Sequence, residues 1–225
     1  MLRALKLTWG SLRSRGVAAT AGILATTAVD MWFDLRRGTR TAGWVDLDDF
    51  AISSSNRARG RAYQATSAFA FSRLLRKIEI PRQCGFVDFG CGRGRVLLLA
   101  ADAGFERVVG IEFASELVVD ARRNVQRWTE SSGRTCQMSV IEGDVLDYVV
   151  AKQDAVFFLF NPFDDVVLDG VLDRIELSLD MHPRNAWIIY HNPLEGSRID
   201  RRQRFQKAGT HTFWGNDFAV YRGTP

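Results

Sequence analysis

The 225-residue chain changes its hydrophobic rhythm near Pro81. Before it, apolar residues recur at helical spacing. Residues 1–40 read as helical, and Tyr63–Ile78 reads as an amphipathic helix with Phe69, Leu74, Leu75 and Ile78 near one face, stopped by Pro81. Between them, residues 41–60 read as irregular, with Gly43, Gly60 and the polar run Ser53-Ser54-Ser55-Asn56. After Pro81, short apolar runs alternate with helical stretches. Strands are predicted at Phe86–Phe89, Arg107–Ile111, Gln137–Ile141, Ala155–Phe160 and Ala186–Tyr190. Helices are predicted at Arg95–Ala103, Ser115–Glu130 with Ser115 as N-cap, and Val166–Leu179 with Leu168, Leu172, Ile175 and Leu179 on one stripe. Ala155–Phe160 is wholly apolar, as a strand covered on both faces must be. Thr210–Trp214 and Phe218–Arg222, joined by Gly215-Asn216-Asp217, read as a closing hairpin.

Five strands alternating with helices predict an α/β fold: a doubly wound, mostly parallel seven-stranded sheet with an antiparallel edge hairpin and an N-terminal helical extension. Two regions are expected: an N-terminal helical extension over residues 1–80 and an α/β domain over residues 81–225.

Charge sharpens that division. Residues 1–82 hold 14 Lys and Arg against 6 Asp and Glu, a net of +8, whereas the whole chain is +4. The N-terminal third could therefore meet nucleic acid or an anionic membrane through residues 1–40, or serve only as a solvated basic face. Its apolar run, Val17–Val29, is too short to span a bilayer and is followed by Asp30, Trp32 and Phe33 instead of a cleavage site. Cys84, Cys91 and Cys136 have no disulfide or zinc spacing, and His182, His191 and His211 form no ligand set, so no metal is expected. Free thiols point to a reducing, cytoplasmic compartment.

Candidate chemistry gathers where strands end. Val87-Asp88-Phe89-Gly90-Cys91-Gly92-Arg93-Gly94-Arg95 follows the first strand of the sheet and opens a helix. Glycines let a ligand approach the backbone, and the helix start offers free N–H groups. A dinucleotide site would need a third Gly where Arg95 stands. Glu112 closes the second strand, where a carboxylate can accept ribose hydroxyls, with Phe113 beside it to pack on a purine. Asp144 follows the third strand, placed to accept from an adenine amino group, and the Val145 N–H is placed to reach a ring nitrogen.

Taken in that order, residues 86–163 resemble the cofactor-binding half of class I S-adenosylmethionine (SAM)-dependent methyltransferases. The resemblance implies SAM as cofactor. It places Asp88, Gly90, Cys91, Gly92 and Gly94 at the methionine part, Glu112 and Phe113 at the nucleoside, and Asp144 and Val145 at the adenine. A helix ahead of the glycine loop caps the cofactor in that family, and Tyr63-Gln64-Ala65-Thr66 is placed to do so, with the Tyr63 and Thr66 hydroxyls near the methionine carboxylate. Asn161-Pro162-Phe163 is similar to the loop of amino-group methyltransferases in which Asn accepts from the target nitrogen. Here Phe163 replaces the family's second Pro. The resemblance thus implies methyl transfer to nitrogen, on a protein side chain or a small amine, with Asn161 and Phe163 as catalytic residues and Asn161 also near the cofactor. Two alternatives stay open: an RNA or DNA methyltransferase, and a non-catalytic SAM-fold binding protein. His191, after the fifth strand, faces the same crevice, where it could act as a base for a protonated substrate or serve only structure, and Trp214 and Phe218 could line an acceptor pocket or serve only hairpin packing.

Overall fold

The computed structural model describes residues 17–45, 63–160 and 164–225. Residues 46–60 of the irregular stretch expected at 41–60, residues 61 and 62, the residues before Val17 and Asn161-Pro162-Phe163 lie outside them, and within that stretch Trp44 and Val45 form a strand.

The chain opens with helix α1 (Val17–Arg37), then a pair of two-residue strands, β1 (Trp44–Val45) and β2 (Tyr63–Gln64), antiparallel to each other. Helix α2 (Ala68–Lys77) follows. The helix expected from Tyr63 thus starts five residues later. Tyr63 and Gln64 are held extended by pairing with β1, and Ser67 supplies the N-cap, its hydroxyl accepting from Ala70 N. The Asp30 carboxylate of α1 accepts from Ala68 N at 2.8 Å, a second cap on the same helix start.

The remaining elements alternate: β3 (Gly85–Phe89), α3 (Arg95–Asp102), β4 (Arg107–Glu112), α4 (Ser115–Ser132), β5 (Gln137–Glu142), β6 (Asp154–Leu159), α5 (Asp165–Met181), β7 (Ala186–His191), a short α6 (Gly196–Asp200), β8 (Phe205–Phe213) and β9 (Asn216–Gly223). The strands lie in the order β5-β4-β3-β6-β7-β9-β8. The first five are parallel. β9 runs antiparallel between β7 and β8, closing the sheet with the expected hairpin. The turn sits one residue earlier than the sequence suggests. Phe213 pairs with Asn216, so Trp214 and Gly215 make a two-residue turn, both with positive φ (48° and 74°), as a mirror-image hairpin turn requires. At α4 the N-cap is Ala114. Ser115 is the first helical residue, and its hydroxyl donates to Glu142 instead.

Burial explains the periods. β3 and β6 are buried along their whole length, which is why their sequences run continuously apolar. One core cluster lies between the sheet and α2, α3 and the indole of Trp128, and α1 joins it through Phe33. The other lies between the sheet and α5, where Leu168, Leu172, Ile175 and Leu179 are buried as the stripe predicts. The order of strands puts β3 and β6 side by side at the centre. Their carboxyl ends open between the two helical layers, which is where an α/β sheet binds ligands.

Candidate functional site

The loop leaving β3 is shaped by three glycines. Gly90, Gly92 and Gly94 all have positive φ, 82°, 52° and 82°, values that a side chain strains. Gly90 N and Cys91 N both donate to the Ile111 carbonyl of β4, at 2.9 and 3.0 Å, which pins the loop across the sheet end. Cys91 is buried and packs against Gly110. A Cβ on Gly110 would stand 2.6 Å from the Cys91 Sγ, so that glycine in β4 is what lets the loop lie so close. Burial pushes the Cys91 thiol well up, helped by the charges of Asp88 and Glu112, which makes it an inert packing group.

Two carboxylates meet beneath this loop. Glu112, 4% exposed, accepts from Gly92 N at 2.9 Å and from Phe113 N and Ala114 N, each at 3.0 Å. A carboxylate has about four lone-pair sites, so room remains for a further donor. Burial raises its pKa against the pull of those three N–H groups. Asp88, 2% exposed, is raised well above the ordinary range by burial first and by the charge of Glu112 second. Among the described residues nothing hydrogen-bonds its side chain. The contrast with Asp154 at the other end of the sheet is instructive. That residue is equally buried but is held by Arg107, the Tyr148 hydroxyl at 2.7 Å and Ala151 N at 2.9 Å. Asp154 is a structural anchor, whereas Asp88 is a buried acid whose natural complement is a cation. A cradle of positive-φ glycines, an acid wanting a cation and an acid with spare acceptor capacity fit the ammonium and ribose groups of SAM.

At the end of β5, beside Glu112, the Asp144 carboxylate accepts from Leu146 N at 2.9 Å and caps a single 3₁₀ turn, Val145–Asp147. Val145 is buried and Phe113 half-buried. Thr66 is buried, and its carbonyl accepts from Arg95 at 3.3 Å. Tyr63 lies in β2, with its backbone paired to Val45. The structure thus groups Asp88, the glycine loop, Glu112, Phe113, Asp144 and Val145 at adjacent strand ends. Asn161 and Phe163 lie outside the described residues.

At the far side of the β6 exit, His191 sits 3% exposed between Phe160 and Phe218, with ring centroids at 3.8 and 4.4 Å. Burial lowers its pKa to about 4, against weaker opposing pulls from Asn216 and Asp217. Such an imidazole is neutral at pH 7 and too weakly basic to take a proton from an ammonium group. Its place is in the aromatic stack behind the β6 loop. Phe218 is buried in that stack, while Trp214 is half-exposed and stacks on Phe69 of α2 at 4.1 Å.

Arg95 is the residue whose importance the sequence conceals. It replaces a dinucleotide glycine, but its own role is structural. Only 2% exposed, it pairs with Asp30 at 2.8 Å and Asp34 at 3.4 Å, and donates to the Thr41 hydroxyl at 2.7 Å as well as to Thr66. Burial pushes Asp34 up, yet hydrogen bonds from Thr41, Thr39 and the 41–42 backbone outweigh it and hold its carboxyl low. Next to it, Asn124 of α4 bridges Arg40 and the Arg93 carbonyl. The segment after α1 is therefore laced to the glycine loop. One sequence signal points to this: Asp30 and Asp34 are the only acids in residues 1–45, one helical turn apart. Among the described residues, no group of three or more His, Cys, Asp or Glu is placed to hold a metal.

Residues 86–179 match the family model described as a methyltransferase domain. The chain is 28% identical over 137 residues to a ribosomal protein L11 methyltransferase of Vibrio campbellii, covering 52% of this chain and 44% of that protein. It is 28% identical over 102 residues to a protein-lysine N-methyltransferase of Saccharolobus islandicus, covering 44% and 61%. The chain thus spans about half the length of these relatives. Its fold is similar to that of an RNA methyltransferase of Salinibacter ruber solved with S-adenosylhomocysteine, at a TM-score of 0.51 and 21% identity over 72% of this chain and 93% of that one. The likeness to that solved structure is one of fold. Within this chain, the stretch similar to a methyltransferase domain runs from β3 into α5.

Proposed function

We propose that the protein transfers the methyl group of SAM to a nitrogen atom, on a protein side chain or a small amine. The observation that carries this is the place of the segment after β6. That strand lies directly beside β3, so its carboxyl end opens next to the glycine loop, and the sequence there is Asn161-Pro162-Phe163. The names of the two relatives, one a protein-lysine N-methyltransferase and the other acting on a ribosomal protein, support a protein acceptor.

When bound, SAM supplies an electrophilic methyl group on a sulfonium. The chain's own residues do the rest by holding and orienting. Asp88 faces the ammonium, and Gly90, Cys91, Gly92 and Gly94 give the methionine part a close path. Glu112 takes the ribose hydroxyls, and Phe113, Asp144 and Val145 bound the adenine. Tyr63 and Thr66, ahead of α2, would hold the methionine carboxylate. Asn161 would accept from the acceptor N–H and so orient the nitrogen lone pair for transfer, and Phe163 would form one wall. His191, buried and lowered to about 4, takes no part as a base in this reading.

Asn161→Ala should lower kcat by about a hundred- to thousandfold, the usual cost of one aligned transition-state hydrogen bond, and leave SAM affinity unchanged. Equal losses of both would make Asn161 a cofactor or folding residue. Labelling a lysate from a deletion strain with tritiated SAM identifies the acceptor class. Label in protein or small amines is expected, and label confined to RNA would overturn the reading.

A further inference from the structure

Helix α1 is built with its chemistry inverted. Asp30, Phe33, Asp34 and Arg37 stand at positions i, i+3, i+4 and i+7 and face inward. Asp30 and Asp34 pair with Arg95, while Arg37 pairs with Asp102 and lies over the Phe33 ring at 4.3 Å. The opposite face, two residues or about 200° away, holds Ala28, Met31, Trp32 and Leu35 at the same spacing. All four are exposed, the last three by 63%, 56% and 82%. A helix on a water-facing domain surface normally turns its apolar stripe inward. Here both acids are consumed by Arg95, and the outward stripe is apolar.

We propose that this outer face of α1 seats the protein on an anionic lipid surface, with Met31, Trp32 and Leu35 entering the headgroup region. The proposal is independent of which acceptor is methylated. Charge favours lipid as the occupant. The only charged residue on the exposed side of α1 from Thr26 onward is Arg36, whose guanidinium lies 5.3 Å from the Trp32 ring centroid. That pairing suits the membrane interface, where an indole and a cation sit at headgroup level. Residues 1–82 are net +8, a sum that includes the exposed Arg73, Arg76 and Lys77 of the neighbouring α2. This basic field attracts an anionic leaflet. Nucleic acid would share the charge complementarity but has no use for a Met-Trp-Leu face. No described helix is long and apolar enough to cross a membrane, so the contact is one of lying on the surface.

The full chain should co-sediment with phosphatidylcholine vesicles containing phosphatidylglycerol, bind pure phosphatidylcholine far less, and be released by salt. The double variant Met31→Asp, Leu35→Asp should bind more than about tenfold more weakly, since each side chain contributes its own transfer into the interface. Its melting temperature and SAM affinity should stay unchanged, because both side chains point away from the domain. A vesicle-induced blue shift of tryptophan emission should vanish in Trp32→Phe. Absence of sedimentation with the anionic vesicles overturns the proposal, as does undiminished binding by the double variant. So does a dimer in vesicle-free solution that the double variant dissociates, which would assign the face to a second copy. SAM affinity, measured on the same samples, keeps any of these failures separate from a failure of the methyltransferase reading.

Discussion

Replacing Asp88 with Asn tests the cofactor site through two pH dependences of opposite sign. The carboxyl is buried, lies beside Glu112, and has its pKa raised well above the ordinary 3.8 by burial and by that neighbour's charge. The folded ligand-free protein therefore keeps a proton that the unfolded chain has lost. Stability from this group is fully present below pH 3.8 and is lost as pH climbs to the raised value. The slope is up to ~1.4 kcal/mol per pH unit for one proton. Asp88→Asn has no proton to lose, so above that window it should melt higher than the parent, with a flatter pH profile. Cofactor binding moves the other way. The SAM ammonium needs the ionised carboxylate, so the parent's affinity should rise with pH through the same window. The variant loses a charge-assisted hydrogen bond, ~1.5–3 kcal/mol, which is roughly ten- to 150-fold in Kd, and its affinity should lose the parent's pH slope. Thermal melts without ligand and calorimetric titrations with SAM, run over the same pH series, measure both. A variant that melts below its parent at alkaline pH, or that keeps the parent's SAM affinity and slope, would refute the assignment of Asp88 to the ammonium.

Neighbouring geometry gives three further expectations. Gly92→Val puts a branched side chain at a φ of 52° inside the loop and should weaken SAM binding by more than tenfold (over ~1.4 kcal/mol), read by titration on protein shown to be folded. Arg95→Ala leaves Asp30 and Asp34 without their cation and should lower stability by ~3–5 kcal/mol, the usual cost of stranding a buried partner, visible as a lower urea midpoint. In a thermal-shift assay S-adenosylhomocysteine should stabilise the protein and NAD should not, because Arg95 stands where a dinucleotide loop needs glycine and its side chain is committed to the N-terminal segment. Stabilisation by NAD alone would reverse that reading.

Legibility in the sequence tracks the range of the interactions. The inner parallel strands β3, β4, β6 and β7 and the α5 stripe are legible because their patterns are enforced by burial on both sheet faces or along one helix face. The β3 loop is legible because its glycines are required by backbone conformation at those positions. The hidden features depend on partners far along the chain. Tyr63–Gln64 has the composition of a helix start but is held extended by Trp44–Val45, about twenty residues earlier. Ser115 looks like a cap until Glu142 offers its hydroxyl a partner. Trp214 is an unfavourable residue for positive φ, so the sequence points to a turn nearer Asn216 than the real one. Gly110 and Arg95 are invisible as such. The first is needed for contact with Cys91, and the second for a pair of acids some sixty residues upstream.

The order of strands bears on how the molecule must be made. β8 emerges from the ribosome before β9, yet its only neighbour in the sheet is β9, which also covers the open side of β7. Without residues 216–223 in place, β7 has an open side and β8 has no partner among the described strands. Such edges invite pairing with other chains. Insertion of β9 covers the open side of β7 and one side of β8, leaving the outer side of β8 as the edge, so the sheet locks only when its last described strand takes an interior slot.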